Sequence, residues 1–314
     1  MALVFSTHRL HPAAHELLQG SCELRIASGL DEATLTREAA DAEVIIVRAP
    51  IPEAAITAAT RLKAVVRHGA GLDMIPVEHA TQQGVLVANV PGANARSVAE
   101  HVLMASLMLR RRHRVSDMAV RRGAWAEARV EAERGREIPG SVGLVGYGNV
   151  GRAIAEIFGS LGARVSAYSP SGRAPEPVKA SLEDVVGKCD IVVLCCPLNA
   201  ETRRMMSASR IGTMKPDAIL VNVARGGLVD DDALVRALAS GQIAGAALDV
   251  FNEQPLPIDH PYYAMANVVL TPHIAGLSEE SMKAMSLGAA REVLRVLNDE
   301  LPVNLVNREV LHNG

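Results

Sequence analysis

The stretch Ser141-Val-Gly-Leu-Val-Gly-Tyr-Gly-Asn-Val-Gly-Arg-Ala-Ile-Ala-Glu-Ile-Phe158 decides the fold of this chain. Its apolar run from Val142 to Val145 predicts a buried parallel strand, and the residues after the last glycine carry apolar side chains at helical spacing. Three glycines separate the two elements. Gly146 permits a tight turn, Gly148 lets the backbone approach a pyrophosphate, and Gly151 lets the helix pack on the strand. The stretch therefore predicts a dinucleotide-binding turn.

The residues that follow the turn support this prediction. Asn149 and Val150 begin the expected helix and would offer backbone N–H groups to an anion. A second apolar strand follows at Arg164 to Tyr168, as in a βαβ unit. The alternative is a glycine-rich turn between a strand and a helix that binds no ligand.

Length and charge narrow the classes of function. A chain of 314 residues is expected to form two domains. The net charge of −3 gives no general electrostatic reason to bind nucleic acid or an acidic membrane surface, so we expect a small-molecule partner. We expect neither a signal peptide nor a membrane anchor at the N-terminus, and no HExxH or CxxC spacing suggests a metal. The four cysteines are interpreted as reduced core thiols of a cytoplasmic protein: Cys22, Cys189, Cys195 and Cys196.

Short apolar runs alternate with helical patterns along the chain, which predicts an α/β fold with two parallel sheets. The strands expected in the first sheet are Leu3 to Phe5, Leu24 to Ile26, Val44 to Val47, Ala64 to Val66 and Val85 to Ala88. After the glycine turn, a doubly wound sheet is expected to continue at Val165 to Tyr168, Ile191 to Cys196, Ile219 to Val223, Ala244 to Val250 and Val268 to Thr271. The clearest helical patterns are Ala13 to Leu18, Pro52 to Ala59, Ser181 to Val186, Ser207 to Gly212, Asp231 to Ser240 and Glu279 to Leu297.

The order of these elements suggests where the domains divide. The chain begins in one sheet, completes another and ends in a long helix, so we expect it to return to the first domain. This assigns residues 1–93 and 278–314 to a substrate domain and residues 94–277 to a dinucleotide-binding domain, with the ligand cleft between them.

The segment between the two sheets is less regular. A helix is expected from Ala95 to Leu109, ending on the basic cluster Arg110 to Arg114. We interpret that cluster as complementing the helix dipole rather than binding phosphate. The polar segment Arg121 to Pro139, which contains the only tryptophan, Trp125, is predicted to be a loop.

Two strand ends carry residues suited to acid chemistry. Arg225 follows a buried strand, where a guanidinium can bind a carboxylate with two parallel hydrogen bonds; a structural ion pair is the alternative. His273 follows another strand at the same edge and can exchange a proton near pH 7, although a lone histidine is more often structural. Asp249 closes an apolar strand and could accept a hydrogen bond from a cofactor amide.

The order of these motifs closely resembles that of the D-isomer-specific 2-hydroxyacid dehydrogenase family, including its glyoxylate/hydroxypyruvate reductases. The resemblance covers nearly the whole chain and is carried by seven blocks: RHGAGLD (67–73), PGANARSVAEH (91–101), VGYGNVG (145–151), CCPLNAET (195–202), VNVARGGLVD (221–230), LDVFNEQPLP (248–257) and TPHIAG (271–276). The family consists of nicotinamide-dependent oxidoreductases, usually homodimers, in which a Rossmann domain is inserted into a flavodoxin-like substrate domain.

The resemblance implies a role for each matching residue. Arg225 would hold the substrate carboxylate and polarise its keto oxygen, and His273 would be the acid/base. The backbone at Ala70 and Gly71 would bind the carboxylate, with Asn94 near the substrate. Residues implied to line the cofactor, with Asp249 at its carboxamide, are Cys196, Pro197, Thr202, Ala224 and Gly276.

One departure from the family pattern lies beside the histidine. The family usually has Glu before the proline of its DVFxxEP block, but here that residue is Gln254, and Glu253 precedes it. A carboxylate stabilises imidazolium, whereas an amide orients the ring without that charge. We therefore hypothesise that His273 titrates lower than in relatives with Glu, so that reduction favours acidic pH and oxidation persists to lower pH.

Gln254 also raises two alternatives to a keto-acid reductase. Formate dehydrogenases of the same superfamily carry Gln at this position and a segment like Asp259-His260-Pro261, although we do not expect their long N-terminal extension here. The other alternative is a non-catalytic regulator that senses NAD(P), since transcriptional corepressors also resemble this family.

The second departure concerns the choice of cofactor. NAD enzymes place Asp or Glu on the ribose hydroxyls about twenty residues after the glycine turn. Here Tyr168 is followed by Ser169-Pro170-Ser171-Gly172-Arg173, which offers hydroxyl donors and a positive charge to a 2′-phosphate. Ser169 and Arg173 therefore favour NADP(H) over NAD(H).

Overall fold

The computed structural model describes residues 1–138 and 140–312 and divides the chain into two compact units. Unit 1 comprises Met1–Asn94 and Leu277–Gly314, and unit 2 comprises Ala95–Gly276. Asn94 and Leu277, the two end residues of the range drawn from the sequence for the dinucleotide-binding domain, therefore lie in unit 1. Pro139 and the last two residues of the expected substrate domain fall outside the described residues.

Unit 1 contains a parallel sheet of five strands in the order β2-β1-β3-β4-β5. Its strands are β1 (Ala2–Ser6), β2 (Cys22–Ile26), β3 (Val44–Val47), β4 (Ala64–Arg67) and β5 (Leu86–Ala88). Its helices are α1 (Pro12–Leu18), α2 (Glu32–Ala39), α3 (Glu53–Ala58), α4 (Val77–Gln82) and, from the C-terminal part, α12 (Glu279–Leu297). This is the flavodoxin-like order that the resemblance implied.

Side-chain alternation explains why the sheet of unit 1 is covered on both faces. In β3, Val44 and Ile46 pack in one apolar cluster with α1 and α12, whereas Ile45 and Val47 pack in a second cluster with α2 and α3. All four β3 residues are buried, as expected for a parallel strand with a helical layer on each side.

Unit 2 contains a second parallel sheet, of six strands in the order β11-β10-β9-β8-β6-β7. Its strands are β6 (Ser141–Val145), β7 (Arg164–Tyr168), β8 (Ile191–Leu194), β9 (Ile219–Asn222), β10 (Gly245–Leu248) and β11 (Val268–Leu270). Its helices are α5 (Ala95–Arg110), α6 (His113–Arg121), α7 (Trp125–Glu133), α8 (Asn149–Ser160), α9 (Leu182–Lys188), α10 (Ala208–Ile211) and α11 (Asp231–Ala239). A parallel bridge between Ala167 and Lys179 extends the sheet beyond β7, which gives the strand order of a Rossmann fold.

The prediction of a loop from Arg121 to Pro139 was wrong. A helix, α7, occupies Trp125–Glu133 and packs against α6. Ala128 is its buried residue, and Glu131 forms a 2.6 Å ion pair with Arg112. The sequence does not reveal α7, because the mostly polar, exposed surface of this helix lacks the apolar stripe on which helix prediction depends.

The basic cluster after α5 is used within the protein. Arg110 Nε donates to the Glu137 carbonyl at 3.1 Å, and Arg114 Nη1 donates to the Val268 carbonyl at 2.8 Å. These contacts agree with a structural interpretation of the cluster. The four cysteines are free thiols, and none of the helices in the described parts of the chain is long and apolar enough to cross a membrane.

Candidate active site

The glycine turn between β6 and α8 has the space that a dinucleotide needs. A Cβ on Gly146, whose φ is +111°, would lie 2.8 Å from the Cys195 carbonyl carbon, and one on Gly151 would lie 2.5 Å from the Gly146 oxygen. Both positions therefore require glycine for packing. A Cβ on Gly148 would meet no heavy atom of the described residues within 4 Å, so this glycine borders open space. The residues present thus fit a pyrophosphate at the turn.

Helix α8 begins directly at this open space. Gly148 is its N-cap and supplies no side-chain cap, so the first backbone N–H groups, at Asn149 and Val150, have no acceptor within the helix. The Asn149 side chain turns to Arg152, whose Nη2 donates to Asn149 Oδ1 at 2.6 Å. The arrangement leaves backbone N–H groups and the positive end of the helix dipole for an anion.

The segment after β7 carries hydroxyls and a cation. Ser169 Oγ and Ser171 Oγ lie 3.1 Å apart, and the Arg173 side chain is exposed. The sequence from Tyr168 to Arg173 contains no carboxylate. The end of β7 can thus donate hydrogen bonds to an anionic group and does not repel it.

The side chains expected to line the cofactor after β8 are used to hold their own loop. Thr202 Oγ1 donates to the Pro197 carbonyl at 2.8 Å, and only 9% of Thr202 is exposed. Cys196 is buried beside Met205, and this burial raises the pKa of its thiol to about 11. Any contact of these residues with a cofactor would therefore involve their backbone or carbon atoms rather than a thiolate.

Arg225 lies three residues after β9, at the N-cap of a short 3-10 turn. Its Nη1 donates to the Ala224 carbonyl at 2.6 Å. The buried Asn222 holds the backbone here, since its Nδ2 donates to the Arg225 carbonyl at 2.9 Å and its Oδ1 accepts from the Ala224 N–H at 3.1 Å. A Cβ on Gly226 would lie 2.1 Å from the Phe251 carbonyl carbon, which explains the glycine after the arginine.

His273 lies three residues after β11 and has a left-handed backbone, with φ of +57°. Its Nδ1 is 3.0 Å from Gln254 Oε1, while Gln254 Nε2 donates to the Phe251 carbonyl at 3.3 Å. Because the Phe251 carbonyl can only accept, the amide nitrogen of Gln254 faces it and the amide oxygen faces the ring. His273 Nδ1 therefore carries a proton, and this N–H donates a hydrogen bond to Gln254 Oε1.

The carboxylate of Asp249 holds the loop that presents His273. Asp249 is 2% exposed; its Oδ1 accepts from the Ile274 N–H at 2.8 Å and its Oδ2 from the Ala275 N–H at 2.8 Å. Oδ1 also accepts from Thr271 Oγ1 at 2.6 Å, and the Asp249 carbonyl accepts from the His273 N–H at 2.9 Å. The carboxylate thus fixes the loop, and the contact of Asp249 with a cofactor amide that the sequence suggested stays a prediction.

A cavity of about 500 Å³ adjoins the histidine within unit 2. His273, Gln254 and Thr271 contribute its polar wall, and the rest is apolar: Phe251, Pro255, Leu256, Tyr263, Leu270 and Pro272.

The loop after β4 in unit 1 is held by Arg67. The guanidinium donates through Nε to the Gly71 carbonyl at 2.9 Å and through Nη1 to the His68 carbonyl at 2.6 Å. Asn89 Nδ2 donates to the Ala70 carbonyl at 2.9 Å. Because the carbonyls of this loop are directed to side-chain donors, its conformation is defined within unit 1, to which Asn94 also belongs.

The sequence and the fold match those of known proteins. The sequence model described as "D-isomer specific 2-hydroxyacid dehydrogenase, NAD binding domain" matches residues 103–275. A glyoxylate reductase of Aeropyrum pernix is 37% identical over 98% of this chain and 96% of its own. This chain belongs to the D-isomer specific 2-hydroxyacid dehydrogenase family. The family consists of NAD(P)-dependent oxidoreductases that act on CH–OH donors.

Two further relatives illustrate the range of this dehydrogenase family. The D-3-phosphoglycerate dehydrogenase of Methanocaldococcus jannaschii is 35% identical over 98% of this chain, but the chain spans only 60% of that relative's length. An NADPH-dependent glyoxylate/hydroxypyruvate reductase of Sinorhizobium meliloti, solved with citrate, has a TM-score of 0.84 and 26% identity, covering 98% of both chains.

Two site residues were overlooked in the sequence of this dehydrogenase. Asn222 holds the backbone of Arg225, and His101 contacts Thr271 beneath the His273 loop, with 3.2 Å between His101 Nε2 and Thr271 Oγ1. A polar residue at the end of an otherwise apolar strand was an available signal for Asn222. The sequence gives no comparable signal for His101, because its partner is 170 residues away.

Proposed function

We propose that this chain transfers a hydride between NADP(H) and a small 2-keto or 2-hydroxy acid, with Arg225 as the carboxylate-binding residue and His273 as the acid/base. The observation that carries the proposal is that hydrogen bonds fix both the loop that carries His273 and the orientation of its ring. Asp249 holds its loop, and Gln254 Oε1 accepts a hydrogen bond from Nδ1, 3.0 Å away. Proton exchange with a substrate would therefore take place at Nε2 of His273.

Each step can be assigned to residues of this chain. The guanidinium of Arg225 would pair with the substrate carboxylate and polarise the keto oxygen, and the backbone N–H groups of Ala70 and Gly71 would share the carboxylate, with Asn94 near the substrate. NADPH, when bound, supplies the hydride that adds to the carbonyl carbon. His273 would give its Nε2 proton to the oxygen as the C=O π-bond becomes a C–H and an O–H bond. Oxidation of the hydroxy acid would return that proton to His273.

A spectrophotometric substrate scan tests this proposal. Glyoxylate, hydroxypyruvate, pyruvate and bulkier 2-keto acids are each supplied with NADPH and with NADH. We expect His273→Asn to lower kcat by about 10²- to 10⁴-fold, the usual contribution of a general acid–base group. Arg225→Lys is expected mainly to raise the KM for the keto acid by about tenfold or more, because the bidentate pair is lost. Tight cofactor binding without turnover of any keto acid would contradict the proposal and favour a regulator.

Formate oxidation is the second candidate, and the contact between His273 and Gln254 favours it. Formate loses a hydride without an alcohol proton to remove, so a histidine paired with an amide suits that reaction. Supplying formate with NADP⁺ and with NAD⁺ in the same scan separates the two activities. Formate turnover faster than that of every 2-hydroxy acid would replace our main proposal.

The preference for NADP(H) depends on the end of β7. The hydroxyls of Ser169 and Ser171 and the exposed Arg173 suit a 2′-phosphate, and the S. meliloti relative is described as NADPH-dependent. We expect Ser169→Asp to shift the ratio of kcat/KM values from NADPH towards NADH by about tenfold or more, because a carboxylate binds ribose hydroxyls and repels phosphate. Arg164→Gln, which also lowers the net charge by one but at the opposite end of β7, is the matched control. A wild-type preference for NADH would refute this part of the proposal.

The homodimer is also a proposal. Exposed apolar side chains gather on α5, α6 and α7 of unit 2, including Met104, Leu107, Met118, Trp125 and Val130. Exposed apolar side chains on three consecutive helices can mark a protein–protein interface, and a second copy would cover them. Sedimentation of wild type and Trp125→Glu tests this, with a monomeric wild type as the contrary result.

A further inference from the structure

His101 extends from α5 to the base of the loop that carries His273. Its Nε2 lies 3.2 Å from Thr271 Oγ1, and Thr271 Oγ1 lies 2.6 Å from Asp249 Oδ1. All three residues belong to unit 2. A continuous line of polar contacts therefore runs from a long helix to the carboxylate that fixes the catalytic loop.

The direction of these hydrogen bonds follows from their chemistry. A carboxylate accepts only, so the hydroxyl proton of Thr271 is directed to Asp249. The same oxygen must then accept from His101, which places a proton on His101 Nε2. Burial lowers the pKa of His101, against the opposing effect of Asp249, so the ring is neutral at pH 7 and Nε2 carries its single proton.

This chain of donors meets the loop where its backbone is strained. His273 has φ of +57°, a conformation that residues other than glycine seldom adopt. Asp249 compensates by accepting from the Ile274 and Ala275 N–H groups that follow it. Thr271 Oγ1, which contacts His101, also donates to Asp249 Oδ1. This third hydrogen bond holds the rotamer of the carboxylate.

We propose that His101 is a positioning residue for His273, acting through Thr271 and Asp249. This inference rests on the proposed function of His273, since the loop has to be positioned only if its histidine meets a substrate. The role requires an N–H donor at the position of His101 Nε2 and does not require the ring to titrate. A glutamine, whose amide nitrogen reaches about as far, should therefore replace the histidine.

The test compares His101→Leu, which removes the donor, with His101→Gln, which keeps it. We expect the Leu variant to lose about ten- to a hundredfold in kcat while the KM for NADPH stays within about twofold, because misplacement of a catalytic group affects mainly the chemical step. The Gln variant should recover most of that loss. The matched control is His79→Leu on α4 of unit 1, which removes a similar histidine–threonine contact, 2.9 Å from Thr57 Oγ1.

A second measurement reports on the loop directly. Hydrogen exchange followed by mass spectrometry should show the peptide covering residues 271–276 exchanging about tenfold faster in His101→Leu than in wild type or His101→Gln. Thr271→Val should give the same acceleration, and the double variant should lose no more activity than either single variant, because both act through one line of contacts. Thr271→Val also serves if His101→Leu does not fold.

The outcomes separate this inference from the proposed function. Additive losses in the double variant, no rescue by Gln, or equal losses in His79→Leu would overturn the positioning role. If wild type reduces no keto acid, the proposed function fails, but the exchange experiment still decides whether His101 orders the loop. Unchanged exchange at 271–276 in both His101→Leu and Thr271→Val would reject it.

Discussion

Replacing Gln254 by glutamate is expected to change the pH dependence of this dehydrogenase. The amide oxygen of Gln254 lies 3.0 Å from His273 Nδ1, so a glutamate in the same rotamer would place a carboxylate against the ring. The substitution conserves size and hydrogen-bond acceptance and adds one negative charge. It therefore isolates the effect of charge on the titration of His273.

The size of the effect follows from the distance and the exposure. With charge centres about 4 Å apart, opposite unit charges attract by about 1 kcal/mol in water and by about 4 kcal/mol near a protein surface. Both His273 and Gln254 are exposed, so solvent screening favours the lower end of this range. Since a difference of about 1.4 kcal/mol corresponds to one pKa unit, Gln254→Glu should raise the pKa of His273 by about one unit.

The assay is the pH profile of kcat/KM in both directions. Reduction needs the protonated ring, so it is lost as pH rises through the pKa of His273, and Gln254→Glu should move that alkaline limb upwards by about one pH unit. Oxidation needs the neutral ring, so its acidic limb should move upwards by the same amount. At pH values between the wild-type limb and the variant limb, the variant should reduce faster and oxidise more slowly than wild type.

The control for this experiment is the neighbouring carboxylate. Glu253 is exposed beside Gln254, and Glu253→Gln changes the net charge by one without altering the contact to the ring. Its pH profile should match that of wild type. The reasoning is refuted if the limbs of Gln254→Glu coincide with those of wild type, or if Glu253→Gln moves them as far.

Two other predictions concern binding and stability. Gly148→Ala should keep the thermal stability of wild type yet weaken NADPH binding about tenfold or more, because its Cβ projects into open space, whereas Gly151→Ala should also lower the melting temperature. Calorimetry measures the melting temperatures and fluorescence titration measures NADPH binding. Undiminished NADPH binding by Gly148→Ala would count against the glycine turn as the dinucleotide site. Burial, and then the nearby Arg48, lowers the pKa of His68 to about 3, so the unfolded chain binds this proton first and stability falls as pH drops from about 6.5 towards 3. His68→Gln should remove about 2 kcal/mol of that loss between pH 7 and pH 5 in urea unfolding, and parallel pH slopes for both proteins would contradict this.

Much of the fold could be predicted because burial on both faces leaves a clear sequence pattern. The structure reproduces β3 and α12 with the predicted ends, since a polar residue bounds each pattern. Strand β10 ends at Leu248, two residues before the predicted end, because the loop that follows is also buried. Buried loops and apolar strands cannot be distinguished by hydrophobicity alone.

The candidate site was only partly predictable. Family motifs identify Arg225, Gln254 and His273, but the residues that hold these side chains in place do so through contacts between distant parts of the sequence. Asp249 meets Ala275 across 26 residues, and Thr271 meets His101 across 170. A motif shows that Asp249 is present, but not that its carboxylate accepts hydrogen bonds from the loop that carries His273.

The structure divides two roles between Asp249 and Gln254. A left-handed backbone at His273 costs of the order of 1 kcal/mol or more, and the hydrogen bonds from two backbone N–H groups and a hydroxyl to a carboxylate can outweigh that cost. The charge of Asp249 is therefore used to hold backbone, while the uncharged Gln254 contacts Nδ1 of the ring in a 3.0 Å hydrogen bond. It follows that mutations of Asp249 and of Gln254 should differ in kind: the first should lower kcat at every pH, and the second should move the pH at which each direction of the reaction runs.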